Sequence, residues 1–304
     1  MSTTTKNSVR LALRTPGAEA IQTQGWLKAH KWLLLRRFSQ IGILLLFLLG
    51  PWFGIWLVKG NLSSSLTLGV LPLTDPFLLL QSLAAGVPQG LWPIASACIG
   101  AAIVTVFYLL VGGRVFCAWV CPVNLVTDGA ATLRRRLNLK SGRVPDSRSR
   151  YWLLAALLGL SAISGNLIWE AVNPVSILHR SLFFGLAAGA WLLLAIFLYD
   201  LLIAQRGWCG HLCPMGAFYG LLGRTALLRV SAPARDACND CMDCFAVCPE
   251  PQVIRPALKQ IGQESPLILD ADCTTCGRCI DVCHKNVFTL THRFNNRFTT
   301  RSNP

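Results

Sequence analysis

The sequence is short of charge, and most of the charge it has is of one sign. Charged residues fill 14% of the 304 positions, where an ordinary soluble domain has about a quarter. Only 14 Asp and Glu stand against 28 Lys and Arg, giving a formal net charge of +14. A disordered chain combines low hydrophobicity with high charge, so disorder is excluded. Histidine is scarce as well: His30, His179, His211, His284 and His292 are all there are. No apolar stretch holds a pair of them, which excludes a membrane b-type haem between two histidines. No C-x2-C-H occurs, which excludes covalent haem attachment. No apolar core with a small-residue cleavage site lies near the start, so no secretory signal peptide is expected. Arg36-Arg37-Phe38 superficially suggests a twin-arginine export signal. No A-x-A follows between Gly50 and Ser65, so it reads as the basic flank of an uncleaved helix.

What the chain has instead is hydrophobic length. Apolar residues make up 53% and the mean hydropathy is +0.49. Four uncharged stretches, 38–58, 91–111, 151–169 and 181–199, are near the ~20 residues that a bilayer core requires. A fifth, Pro76–Val87, is too short to cross and is expected at the interface or re-entering. Trp52, Trp56, Trp92, Tyr151, Trp169 and Tyr199 mark the ends as an aromatic belt does. Lys and Arg number 7 in 1–37, 1 in 59–90, 8 in 112–150, 1 in 170–180 and 11 from 200 onward. This alternation predicts cytoplasmic termini and a cytoplasmic middle loop, and it accounts for the net charge without nucleic acid.

The expected organisation follows. A basic N-terminal segment spans 1–37, a four-helix transmembrane domain 38–204, a cysteine loop 205–227 and a polar, proline-punctuated domain 228–304. The fold class expected is a mainly α membrane protein of two helix-pair repeats with a C-terminal α+β ferredoxin domain. The repeats are marked by cysteine. Arg114-x2-Cys117-x3-Cys121-Pro122 recurs as Arg206-x2-Cys209-x3-Cys213-Pro214, offset by 92 residues.

Thirteen cysteines are present, and twelve fall in tight groups. Cys238-x2-Cys241-x2-Cys244-x3-Cys248-Pro249 matches the bacterial two-cluster ferredoxin run. Cys273-x2-Cys276-x2-Cys279-x3-Cys283 matches it too, with His284 in place of proline. In such runs the fourth cysteine ligates the other cluster. One [4Fe–4S] cluster is therefore expected on Cys238, Cys241, Cys244 and Cys283, and a second on Cys273, Cys276, Cys279 and Cys248. Zinc knuckles are the alternative, but this order is not a common zinc spacing.

The C-x3-C-P pairs leave three roles open: metal or cluster ligand, thiol–disulfide pair, or structural loop. At a helix start the thiols Cys117, Cys121, Cys209 and Cys213 are expected to have lowered pKa values. If the repeats meet about a pseudo-twofold axis, the four thiols converge on one further metal or cluster site. Arg114 and Arg206 read as positive-inside anchors before they read as thiolate stabilisers. Cys98, alone inside a span, reads as a buried structural thiol. On the other side, Glu170, Asn173, His179 and Arg180 bring polar groups between spans, where ionisable side chains are functional candidates. Glu170 and His179 are candidates to take protons from a quinol, with Arg180 or Asn173 holding its oxygen. Asp75, before Pro76, is a further candidate.

The four apolar stretches, the two R-x2-C-x3-C-P loops and the two-cluster run together resemble the NapH-type family. These are ferredoxin-like membrane quinol dehydrogenase subunits of periplasmic nitrate reductase systems. The resemblance extends from Arg36 to Arg293 and includes the segment 170–180. The same motif combination resembles a wider group: nitrous-oxide reductase regulators, methylamine-utilisation ferredoxin proteins and a cytochrome-oxidase accessory protein. It implies a bacterial inner-membrane protein that oxidises quinol without itself reducing nitrate. Electrons then pass to a periplasmic iron–sulfur partner of NapG type and a c-type cytochrome relay. A cytoplasmic ferredoxin-type partner is a further expectation. Two other functions stay open: a metal-assembly or copper-reducing accessory protein using the C-x3-C-P thiols, and a non-catalytic docking anchor.

Overall fold

Glycines in the left-handed region set where the apolar helices stop. In the computed structural model, residues 15–86, 94–139, 142, 146–259 and 265–298 are described; Trp92 and the start of the stretch 91–111 lie outside them. The first long helix runs over Lys31–Phe53 and ends at Gly54, φ 72°. The next, Ile94–Val111, ends before Gly112, φ 127°. These two are long and apolar enough to cross a membrane. The third and fourth expected spans form shorter apolar helices, Ser149–Ser164 and Ala188–Ile203. Gly165, φ 65°, caps the former. Gly185, φ 67°, ends the helix Pro174–Phe184, so the first residues of the stretch 181–199 belong to that earlier helix. Only glycine adopts such a φ without strain, so its position outweighs continuous hydrophobicity.

The chain divides into two compact units, 37–227 and 1–36 with 228–304. In the larger unit, the segment after the first long helix forms a three-stranded antiparallel meander, Val58–Gly60, Ser64–Thr67 and Leu71–Thr74. Asp75 then caps the short helix Pro76–Ala84. The segment after the third helix repeats that device: Asn173 caps Pro174–Phe184. In both, the side-chain oxygen accepts from the backbone N–H two residues on, Phe77 at 3.0 Å and Val175 at 3.0 Å. Asx at N-cap with proline at N1 is a strong helix start. Trp169, expected in the aromatic belt, is a core residue here, 5% exposed, packed with Phe77, Phe116 and Tyr219. Cys98, expected to be buried, is exposed on the surface of its apolar helix.

In the smaller unit, Leu228–Ser231 pairs with Thr289–His292 over a core of Val230, Ile254, Ile268 and Phe288. The described part of the N-terminal segment, 15–36, packs on this domain. Gly17 N–H donates to Asp243 at 2.9 Å and Gln24 to the Cys283 carbonyl at 2.9 Å. The carboxylate of Asp281 accepts from the N–H groups of Trp32 and Leu33 at 3.0 and 2.9 Å, capping the long helix at its start.

Candidate iron–sulfur sites

Each C-x3-C-P motif closes a π-helical turn. Phe116–Val120 and Trp208–Leu212 take this form, and Cys121 and Cys213 follow in extended conformation. The amides of Cys121 and Cys213 bond back to the carbonyls of Phe116 and Trp208 at 3.0 and 2.9 Å. The wide turn aims the first cysteine inward, and the extended residue aims the second beside it. π turns of this kind recur at functional sites. The helices Val123–Arg136 and Pro214–Leu222 begin directly afterwards. Their first amides point at sulfur: Val123 and Asn124 at Cys121, Met215 and Gly216 at Cys213.

The two turns meet. Cys117, Cys121, Cys209 and Cys213 line one cavity of about 420 Å³. Side chains from elsewhere hold the turns by their carbonyls. Gln40 donates to Ala118 at 2.9 Å and Ser39 to Trp119 at 2.9 Å. Arg114 donates to Cys209 at 3.3 Å, Arg150 to Gly210 at 3.0 Å and Ser149 to His211 at 2.7 Å. Arg114 and Arg206 are buried, 2% and 6% exposed, and are not surface anchors. Arg114 lies against the Cys117 thiol, and Arg206 pairs with Asp128 at 3.1 Å. Asp128 also takes Arg37 at 2.6 Å, so the second arginine of the twin pair is a structural partner.

The thiol chemistry differs from the expectation of lowered pKa. Burial pushes Cys117 up, and the guanidiniums of Arg114 and Arg150 offset it only in part. Burial and the neighbouring sulfurs push Cys121 and Cys209 up and Cys213 to about 12. Four such groups ionise together only around a positive centre, since metal coordination deprotonates a thiol outright. Four convergent sulfurs, amides aimed at them and two buried guanidiniums fit an iron–sulfur cluster.

The C-terminal groups form two further cavities. One is lined by Cys238, Cys241, Cys244 and Cys283, the other by Cys248, Cys273, Cys276 and Cys279. The sulfurs within each set act on one another electrostatically. Burial raises Cys244 to about 12 and Cys273 to about 11. Cys276 is the exception. Burial pushes it up, but the guanidiniums of Arg278 and Arg36 outweigh that and leave it below its ordinary value. Trp32 packs on Gly277, φ 72°, where a Cβ would meet its ring at 2.4 Å. Among the described residues no three His, Cys, Asp or Glu groups close on a single ion. Each cavity gathers four cysteines, the donor set of one [4Fe–4S] cluster.

The structure does not gather Glu170, His179 and Arg180 into one site. Glu170 accepts from Ser176 Oγ at 2.6 Å and Ser63 Oγ at 3.3 Å. His179 is 1% exposed between Phe47 and Phe183, and burial lowers its pKa to about 4, so it is neutral. Arg180 is exposed. Glu170 lies on the short helix Ile168–Val172 and His179 and Arg180 on Pro174–Phe184, where adjacent residues face different ways. Sequence reasoning missed Tyr219, which donates to Asp75 Oδ1 at 2.9 Å across 144 residues. The one available signal for the region was the Asx-Pro pair recurring in both repeats.

Comparison with known proteins agrees with this layout. A family model described as a 4Fe-4S binding domain matches twice, over 93–140 and 184–232, and so takes in both C-x3-C-P turns. A model described as a 4Fe-4S dicluster domain matches 237–295. The chain is 50% identical over 282 residues to the ferredoxin-type protein NapH of Escherichia coli (strain K12), covering 92% of this chain and 96% of that one. It is 54% identical over 277 residues to the methylamine utilization ferredoxin-type protein MauN of Methylorubrum extorquens, covering 91% and 94%. A putative electron transport protein, YccM of E. coli, is 24% identical over 281 residues, 85% of this chain and 72% of that one. No solved structure matches. With half its residues shared over nine-tenths of its length, the chain belongs to the NapH/MauN family of ferredoxin-type electron-transport proteins with 4Fe–4S domains.

Proposed function

We propose that this protein is the quinol-oxidising, electron-transferring subunit of a bacterial inner-membrane redox chain. The observation that carries the reading is the ring of Cys117, Cys121, Cys209 and Cys213 inside the apolar unit. That unit is the part of the chain suited to lipid, and quinol is dissolved there. All four apolar helices cross the membrane in this reading, the shorter two with help from their flanks, and both termini are cytoplasmic as the basic loops demand. Cys238, Cys241, Cys244 and Cys283 hold one [4Fe–4S] cluster; Cys248, Cys273, Cys276 and Cys279 hold a second; the C-x3-C-P ring holds a third. Bound clusters supply one-electron carriers. The protein's own groups do the rest: amides and arginines stabilise the sulfurs, and aromatic packing keeps water from the ring.

The acceptor is an iron–sulfur protein of NapG type feeding a c-type cytochrome relay to nitrate reduction. A second reading of the chain's end point has support. Relatives named for methylamine utilization match at 49–54% identity, alongside NapH relatives at 50%. In this second reading the chain's own residues keep the same roles and the outer partner differs.

The test is anaerobic reconstitution of the purified protein in lipid, addition of reduced quinol, and EPR of the clusters. Appearance of a reduced-cluster signal is the expected result. Reduction by dithionite but not by quinol overturns the reading and favours a docking anchor.

A further inference from the structure

Beside the cysteine ring lies a second cavity, about 850 Å³ and open on one side. Its walls are mostly apolar and aromatic, among them Leu46, Phe47, Val104, Tyr108 and Phe116. Phe116 lines the cysteine cavity as well and precedes Cys117. It stacks on Tyr219 at 4.9 Å and 16°. Into this setting the chain puts one carboxylate, Asp75, only 7% exposed. Tyr219 Oη and Phe77 N–H both donate to its Oδ1, at 2.9 and 3.0 Å. Among the described residues no hydrogen bond reaches Oδ2.

Helix capping does not explain an acid here. Asn173 makes the same cap in the second repeat without a charge, and Asn and Asp cap equally well. Burying an unpaired carboxylate is costly, so the acid points to chemistry at the cavity. A narrow, aromatic-walled cavity with one acceptor next to a redox centre suits a planar ring bearing hydroxyl groups.

We propose that this cavity is the quinol headgroup site, with Asp75 as the base that accepts a hydroxyl proton and Tyr219 as the residue that positions it. The inference rests on the quinol reading above. Oxidation of one quinol breaks two O–H bonds and releases two protons and two electrons. Asp75 takes one proton and water the other; the electrons leave one at a time to an iron–sulfur acceptor. Burial raises the Asp75 carboxyl to about 6, and the charge of Glu170 acts in the same direction. The other titratable groups facing it are Tyr219 and Tyr108. An acid of that strength is ionised at neutral pH and basic enough to take a hydroxyl proton and then pass it on to water. Ser63 links the two acids: its carbonyl accepts Asp75 N–H at 2.8 Å and its hydroxyl donates to Glu170 at 3.3 Å.

The test uses the full chain in lipid nanodiscs with an azido-benzoquinone bearing a short alkyl tail. Labelled peptides are read by mass spectrometry, and quinol-dependent cluster reduction is measured against pH. Expected are saturable labelling of the peptides holding Asp75, Phe116 and Tyr219, and Asp75→Asn labelling like wild type. Asp75→Asn should also cut kcat by at least about a hundredfold with KM little changed, as loss of a general base does. It keeps the N-cap, so the variant folds. Labelling of 170–180 instead, with full rate in Asp75→Asn, overturns the site and leaves the quinol reading standing. No saturable labelling and no reduction by quinol overturns both.

Discussion

The two halves of the apolar unit are built from one plan and finished differently. Each has an apolar helix, an Asx-Pro cap, a second apolar helix, a π turn with the first cysteine, and a helix after the second cysteine. The first half alone carries the strand meander and the open cavity, and its cap is Asp75. The second half caps with Asn173, which faces the closed cysteine cavity. Arg114 serves the other half's turn through the Cys209 carbonyl, whereas Arg206 serves Asp128. What both halves share is what the fold needs: caps, turns and sulfurs. Where they differ, one half gains an acid and an opening, and chemistry enters there.

Changes to the sulfurs test the shared part and carry the largest effect. Cys117→Ser or Cys209→Ser should empty the ring while the C-terminal clusters persist. Iron should fall from about twelve to about eight atoms per chain, counting four per cluster, measured with EPR on the same sample. Unchanged iron would make the ring structural. Asp128→Asn removes the buried carboxylate that Arg206 and Arg37 share. Removing one partner of a buried pair costs about 3–5 kcal/mol, so thermal unfolding in nanodiscs should start well below wild type.

The differing part is tested by pH. The folded Asp75 carboxyl titrates at about 6, raised from 3.8 chiefly by burial. A raised acid holds its proton more tightly in the folded state. Its contribution is therefore full below pH 3.8 and is lost as pH rises through about 6. At 1.36 kcal/mol per unit, Asp75→Asn should be the more stable protein at pH 7 by up to about 3 kcal/mol and equal to wild type near pH 4. Equal melting at both pH values would sink the assignment of a costly buried acid. At Gly113 a Cβ would run into the Tyr219 carbonyl and the Gly223 amide. Gly113→Ala has to move backbone and should cost more than the about 1–3 kcal/mol usual for side-chain overpacking. The smallest is Tyr219→Phe. It removes one hydrogen bond, about 1 kcal/mol, and should move the acid limb of the rate–pH profile without changing cluster content.

Local spacing made the cysteine chemistry legible in the sequence. Three residues between cysteines and three sulfurs in seven positions are properties of short segments, and they survive any tertiary arrangement. The repeat was legible for the same reason. Helix ends were less so, because Gly165 and Gly185 break stretches whose hydrophobicity runs on past them. The strands at 58–74 carry no clean alternation and were not visible. The polar run at 170–180 is divided between two helices, a break that the sequence marks only by Asn173-Pro174. Asp75 meets Tyr219 only through packing, and one sequence holds no trace of that pairing.

One bond described above bears on how the protein is made. Asp281, between Cys279 and Cys283, caps the start of the helix Lys31–Phe53. For that helix, the cap is synthesised 248 residues after the amide of Leu33 that it receives. The orphan amides of its first turn wait until the cysteine loop around Asp281 takes its final shape. The shape of that cysteine loop and the start of the first long helix are thus settled together.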